Sequence, residues 1–365
     1  MSRPCLDKTL AAMDTIREDG PCMSDFAQNG LICTLQRLND THLDAIESRL
    51  IERCREQPVA LVLPCHAGEL GRPALAHILR ELNDARWINE IIVSMNGLDE
   101  AGFAEAESIF GTLRHPVRVL WNDRPGSAVS GGGKGANIAA AFRLLAEEKR
   151  VTLVVTQDCD VASFHRNDLA RLCYPVADLG YHFAKAYYSR VTDRLYGRVS
   201  RLFLSPLLQA LVGVAGHQPL VDFLLSFRYP LAGECAMTLG LASQLPVAPG
   251  WGLEIGQLCE VFRHLDPRDM CQVDCGAGYD HKHQPALTAL ADMAGAIAGE
   301  LFRQVAVEGI GTGAGFHDAV LASYAQESTM ALRRFANLAR INNLPFDEEA
   351  ERAIVEAFQQ RLAEF

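Results

Sequence analysis

Between residues 58 and 160, four short apolar runs alternate with three segments of helical spacing. "PVALVLPCHA", "INEIIVSMNG", "VRVLWND" and "VTLVVTQDCD" read as strands. "PALAHILRELNDA", "EAGFAEAESIFGTL" and "GANIAAAFRLLAEEKR" read as the helices between them. Near-continuous apolarity marks strands covered on both faces, and strands separated by helices do not pair as hairpins. The pattern predicts an α/β fold: a mostly parallel sheet, right-handed crossovers and helices on both faces. Ligands of such sheets collect at the carboxyl ends of the strands. Pro64-Cys65-His66, Ser94 to Gly97, Asn122-Asp123 and Asp158 to Asp160 all fall at those ends. Beyond residue 165 the alternation fades into a longer, mostly helical segment that closes in a strongly helical tail (316–365), and residues 1–50 read as helical with a polar face.

With 365 residues, 49% apolar and 22% charged, the chain is long enough to bury a full core. A formal net charge of −11 argues against coating nucleic acid or anionic membranes, although basic residues gathered locally still suit an anionic substrate. The 11 cysteines include no CxxC pair, and the first twenty residues have no apolar core of signal-peptide length. Both points predict a reducing, cytoplasmic setting in which most thiols are small buried hydrophobes. The most apolar stretch, 202–227, is interrupted by Pro206, Gln209, His217, Pro219 and Asp222, so buried helices are expected there rather than a membrane span.

Asp158 and Asp160 end the fourth apolar run, where burying charge is costly. Two close carboxylates repel unless a cation lies between them, and hard divalent ions such as Mg2+ or Mn2+ favour carboxylate and phosphate oxygens. A solvated loop with one aspartate capping a helix is the plainer alternative. "SAVSGGGKGAN" (127–137) runs from a glycine-rich loop into a helix, offering backbone amides and Lys134 to an anion. It lacks the lysine-hydroxyl pair of a P-loop, since Gly135 and Ala136 follow Lys134. "CQVDCGAGYDHKHQ" (271–284) admits a zinc cluster through Cys271, Cys275, His281 and His283, or a single His281 that completes the shell begun by the aspartates. Arg194, Arg198 and Arg201 cluster near Ser200, either as forks for carboxylate and phosphate or as a solvated helical face. Glu234 and Glu254, each set among glycines and apolar residues, are loop anchors or substrate contacts.

Taken in order, "LP" (63–64), "GGGKG" (131–135), "QDCD" (157–160), "GRVSRLFLSPLL" (197–208), "YPLAGE" (229–234), "GWGLEIG" (250–256) and "DHKHQ" (280–284) resemble the retaining glycosyltransferases that make glucosyl-3-phosphoglycerate from a nucleotide glucose and 3-phosphoglycerate. The resemblance implies a GT-A fold, a divalent metal (Mg2+ or Mn2+) and a homodimer, with UDP-glucose the expected donor. It divides the chain into a helical N-terminal segment (1–54), a nucleotide-sugar-binding core (55–245) and an acceptor-side, helical C-terminal region (246–365). It also implies residue roles. Pro64, Gly133, Lys134, Asp158 and Asp160 lie on the donor side, with Glu69 standing in for a glutamate that the family carries after the first strand. Asp160 and His281 hold the metal. Gly197, Arg198 and Ser200 hold the phosphoglycerate. Glu254 is the carboxylate near the donor sugar and, with Asp160, the catalytic candidate. The alternatives are a GT-A transferase using GDP-glucose, GDP-mannose or a glycerate acceptor, a sugar nucleotidyltransferase, and a non-catalytic nucleotide-sugar binder. A nucleotidyltransferase carries its glycine-rich loop after the first strand, whereas here it follows the third.

Overall fold

A computed structural model describes residues 28, 30–38, 43–125, 133–248, 250–278, 286–311 and 313–365. Eight strands join in one sheet: β1 (Cys33–Leu35), β2 (Val59–His66), β3 (Glu90–Asn96), β4 (Val117–Trp121), β5 (Leu153–Thr156), β6 (Phe183–Ser189), β7 (Cys235–Thr238) and β8 (Met270–Ala277). Their order is β1-β8-β6-β7-β5-β2-β3-β4. All neighbours run parallel except β7, which is antiparallel to both β5 and β6.

The four strands expected between 58 and 160 form as β2 to β5, and the helices between them are α2 (Pro73–Leu82), α3 (Glu100–Phe110) and α4 (Lys134–Glu148), after α1 (Leu43–Arg53). One boundary moves. β5 stops at Thr156, so the two aspartates lie in the turn beyond it rather than within the sheet. The other half of the sheet corrects the reading of the sequence. Residues 33–35, expected to be helical, form an edge strand on β8, and the region after 165 contributes three strands besides its helices. β7 spans only four residues, β6 carries Lys185 in its middle, and β8 is the "CQVDC" stretch that read as a metal loop. Pairing on both sides supplies what these strands lack in local pattern.

Helices α5 (Arg166–Asp178), α6 (Ser205–Ala215), α7 (Pro219–Ser226), the single turn α8 (Leu239–Ala242), α9 (Leu253–His264), α10 (Leu287–Val307), α11 (Phe316–Ile341) and α12 (Glu348–Leu362) complete the chain. Two apolar layers sandwich the sheet. Leu50 of α1, Ile78 of α2, Phe110 of α3 and Leu172 of α5 fill one face. Ile138 of α4, Leu207 of α6, Phe223 of α7, Leu258 of α9, Leu301 of α10, Tyr324 of α11 and Phe358 of α12 fill the other. The 202–227 run is buried helix, as expected, and among the described residues no helix is long and apolar enough to cross a membrane. The tail packs where the chain enters α6 through a π-helical turn, Val199–Leu204. Tyr324 donates to the Leu202 carbonyl at 2.8 Å, and the Phe358 ring centroid lies 5.2 Å from that of Phe203.

Candidate active site

A buried polar knot fixes the start of α4. Asn122 Nδ2 donates to Ser94 Oγ and Asn137 Oδ1, each at 2.8 Å. Asn137 Nδ2 donates to the Cys65 carbonyl at 3.2 Å and to Asn96 Oδ1 at 2.9 Å. These bonds satisfy groups that would be costly to bury alone. They tie α4 to the carboxyl ends of β2, β3 and β4, which explains the polar residues that the sequence places there. Gly133, at φ +88°, turns the chain into the helix, and the first side chain after it is Lys134.

Lys134 reaches across a cavity of about 610 Å³. Its ammonium lies 2.7 Å from Asp158 Oδ1 and 3.1 Å from Glu254 Oε1, the latter on the first turn of α9. Burial opposes its charge, but Asp158, Glu254 and the buried Glu234 hold its pKa well above the usual lysine range. The cation that reconciles Asp158 with its neighbours is therefore Lys134 itself. Glu234 accepts from Tyr188 Oη at 3.0 Å and Gln157 Nε2 at 3.4 Å, so it anchors the floor of the site. Gly233 passes so close that an added Cβ would lie 2.2 Å from Lys134 Nζ and 2.5 Å from Asp158 Oδ2.

Beyond this cluster the cavity is lined by Asp160, by Pro64 at the end of β2, and by Glu69, which sits 3.6 Å from Arg72 Nε. Cys159, between the aspartates, is buried against Cys65. The hydrogen bond between the two thiols, together with burial, pushes Cys159 well above its usual pKa. Gly197 turns the chain at φ +70° into the π-helical turn, and Arg198 and Ser200 also line the cavity. Single π-turns recur at functional sites. Ser200 Oγ is buried with no hydrogen-bond partner among the described residues. Arg198 Nε donates to Glu351 of α12 at 3.0 Å.

The arginine cluster expected from sequence thus divides. Arg198 lines the cavity, Arg194 pairs with Asp193 in solvent, and Arg201 is buried in an ion pair with Glu351. The zinc reading of Cys271 and Cys275 does not hold: both lie in the extended strand β8, where residues four apart are roughly 13 Å from each other, too far to share one ion. His281 and His283 lie outside the described residues. Among the described residues no group of three or more His, Cys, Asp or Glu could hold a metal ion. Pro64, Glu69, Gly133, Lys134, Asp158, Asp160, Gly197, Arg198, Ser200 and Glu254 all border one cavity. The sequence reading did not single out Tyr188, Arg190, Tyr229 and Trp251, which line it too, nor Lys185 and Glu351 just behind it. Lys185 is fully buried, its Nζ has no partner among the described residues, and burial lowers its pKa.

No family model matches this chain. Over 358 residues it is 34% identical to the curated glucosyl-3-phosphoglycerate synthase of Persephonella marina, covering 93% of this chain and 89% of that protein. Among solved structures, glucosyl-3-phosphoglycerate synthase from Mycobacterium tuberculosis in complex with Mn2+, UDP and phosphoglyceric acid aligns with a TM-score of 0.59 at 25% identity, covering 76% of this chain and 87% of that one. Mannosyl-3-phosphoglycerate synthase from Rubrobacter xylanophilus aligns with a TM-score of 0.56 at 26% identity, covering 71% and 78%.

Proposed function

The chain belongs to the glucosyl-3-phosphoglycerate synthase family of metal-dependent glycosyltransferases, and we propose that it transfers glucose from UDP-glucose to the hydroxyl of 3-phosphoglycerate with retention at the anomeric carbon. The observation that carries this reading is a cavity whose lining combines carboxylates with the cationic side chains of Lys134 and Arg198. Lys134 is clasped by Asp158 and Glu254, and the same cavity is bordered by Asp160, Arg198 and Ser200. Mn2+, UDP and phosphoglyceric acid, the ligands of the M. tuberculosis enzyme, suit such a mixture of carboxylates and cations.

The donor side fits a divalent ion. Mg2+ keeps several waters and is held by one or two carboxylates plus substrate phosphates, so it needs no all-protein cage. Asp160 is the direct ligand in this reading, with His281 as its partner. When bound, such an ion neutralises the charge that develops on the leaving diphosphate. Lys134, freed from Asp158, adds a second positive charge there. Pro64 and Glu69 border the nucleoside, and Gly133 lets the backbone approach the diphosphate. Glu254 is already tied to Lys134, which suits an anchor for sugar hydroxyls better than a nucleophile, so acceptor attack on the leaving-group face is the route to retention. Gly197, Arg198 and Ser200 hold the phosphoglycerate. The nine cysteines that the structure describes are free thiols, in keeping with a cytoplasmic enzyme, and a homodimer completes the proposal.

Transfer assays with UDP-glucose, GDP-glucose and GDP-mannose, each against 3-phosphoglycerate and glycerate, test the reading. UDP-glucose with 3-phosphoglycerate should react fastest and only with Mg2+ or Mn2+; a faster GDP-mannose reaction would overturn the donor. Asp160→Ala should lower kcat/KM by about a hundredfold or more, and an unchanged rate removes Asp160 from the metal site.

A further inference from the structure

Arg198 is held from behind by a residue almost at the other end of the chain. Glu351, in the first turn of α12, is only 5% exposed and is shared by two arginines. Its Oε1 accepts from Arg198 Nε at 3.0 Å, and its Oε2 pairs with Arg201. Arg201 is itself immobilised. Its Nε donates to the Tyr196 carbonyl at 3.1 Å, its Nη2 donates to the Leu195 carbonyl at 3.4 Å, and its guanidinium lies 5.3 Å from the Phe335 ring of α11.

We propose that Glu351 is a positioning residue for the acceptor site, and the proposal rests on the reading of Arg198 given above. Arg201 fixes Glu351, and Glu351 pins the Nε edge of Arg198. The two terminal nitrogens of Arg198 have no partner among the described residues, and they remain as a planar fork for an anion in the cavity that Arg198 lines. A guanidinium has five donors in one rigid plane, so fixing one edge restricts where the others point. Glu351 also cancels one of two adjacent positive charges while leaving one for the acceptor. The residue touches neither substrate, and its effect passes through Arg198.

The test uses the full chain with Arg198→Ala, Glu351→Gln and Glu351→Asp, measuring acceptor and donor KM, kcat and thermal midpoint for each. Arg198→Ala should raise the phosphoglycerate KM strongly. Glu351→Gln keeps the shape but not the charge and should raise it about tenfold, with donor KM within about twofold of the parent. A merely structural Glu351 would lower the thermal midpoint and leave the KM of the folded enzyme unchanged, which overturns the proposal. Glu351→Asp keeps a charge for Arg201 but draws it back from Arg198 by one methylene. It should raise the acceptor KM by about threefold, and it serves as the deciding variant if Glu351→Gln does not fold. An unchanged acceptor KM in Arg198→Ala would instead show that the acceptor lies elsewhere, and the role of Glu351 falls with it.

Discussion

Lys134 sits where three carboxylates converge, and its geometry depends on a residue that has no side chain. Asp158 and Glu254 take its charge directly, Glu234 supports it from below, and Gly233 leaves the room they need. The atoms that an added methyl would strike, Lys134 Nζ and Asp158 Oδ2, are the far ends of flexible side chains. Gly233→Ala should therefore keep the fold, with a thermal midpoint within about 2 °C of the parent, and lower kcat/KM by about a hundredfold, since displacing catalytic groups by an ångström costs about that much. Steady-state kinetics beside a melting curve check this. The sequence exposed much of this cluster. "QDCD", "GGGKG" and "GWGLEIG" stand out because polar groups interrupt apolar surroundings. Which cation faced Asp158 was not readable, because Lys134 and Asp158 meet only through the fold.

At the scale of elements, the legible half of the sheet is the half whose apolar strands alternate with well-patterned helices. β6, β7 and β8 escaped notice for a physical reason. Strands flanked on both sides draw their stability from neighbours far away in sequence, so their own composition is free to include Lys185, Gln272 and Asp274. Glu351 was equally invisible, because "EEAERAIVEAF" reads as an ordinary amphipathic helix and nothing in it marks one glutamate as buried. The apolar stripe of α12 was visible, and it does more than cover the sheet. Phe358 is fully buried and packs against Phe203 in the π-helical turn that carries Ser200. Phe358→Ala should cost about 3–5 kcal/mol by opening a cavity there, measurable by denaturant unfolding.

At the scale of the molecule, the edge formed by β1 meets α5 through a partly buried ion pair. Arg37, just past β1, lies 3.0 Å from Asp168 in the first turn of α5. Burial outweighs that attraction and raises the Asp168 carboxyl to about 6. A carboxyl with a folded pKa above its unfolded value near 3.9 binds more protons when folded. Its contribution to stability is thus fully present in acid and is lost as pH rises from about 4 through 6. Asp168→Asn, which never ionises, should be more stable than the parent by about 1–2 kcal/mol at pH 7.5. The gain should vanish near pH 4, and unfolding curves across that range decide it. The antiparallel β7 has a consequence of another kind. Strands β2 to β5 join one another within a continuous stretch of chain, yet they meet the remainder only through β7, and β1 meets only β8. Thr34 and its partner Gln272 are 238 residues apart. On the ribosome, the earliest of the described strands has no partner in the sheet until β8 has been made, so the sheet grows from the half that ends in β4 across to β1, and the first of these strands to emerge is the last to find its place.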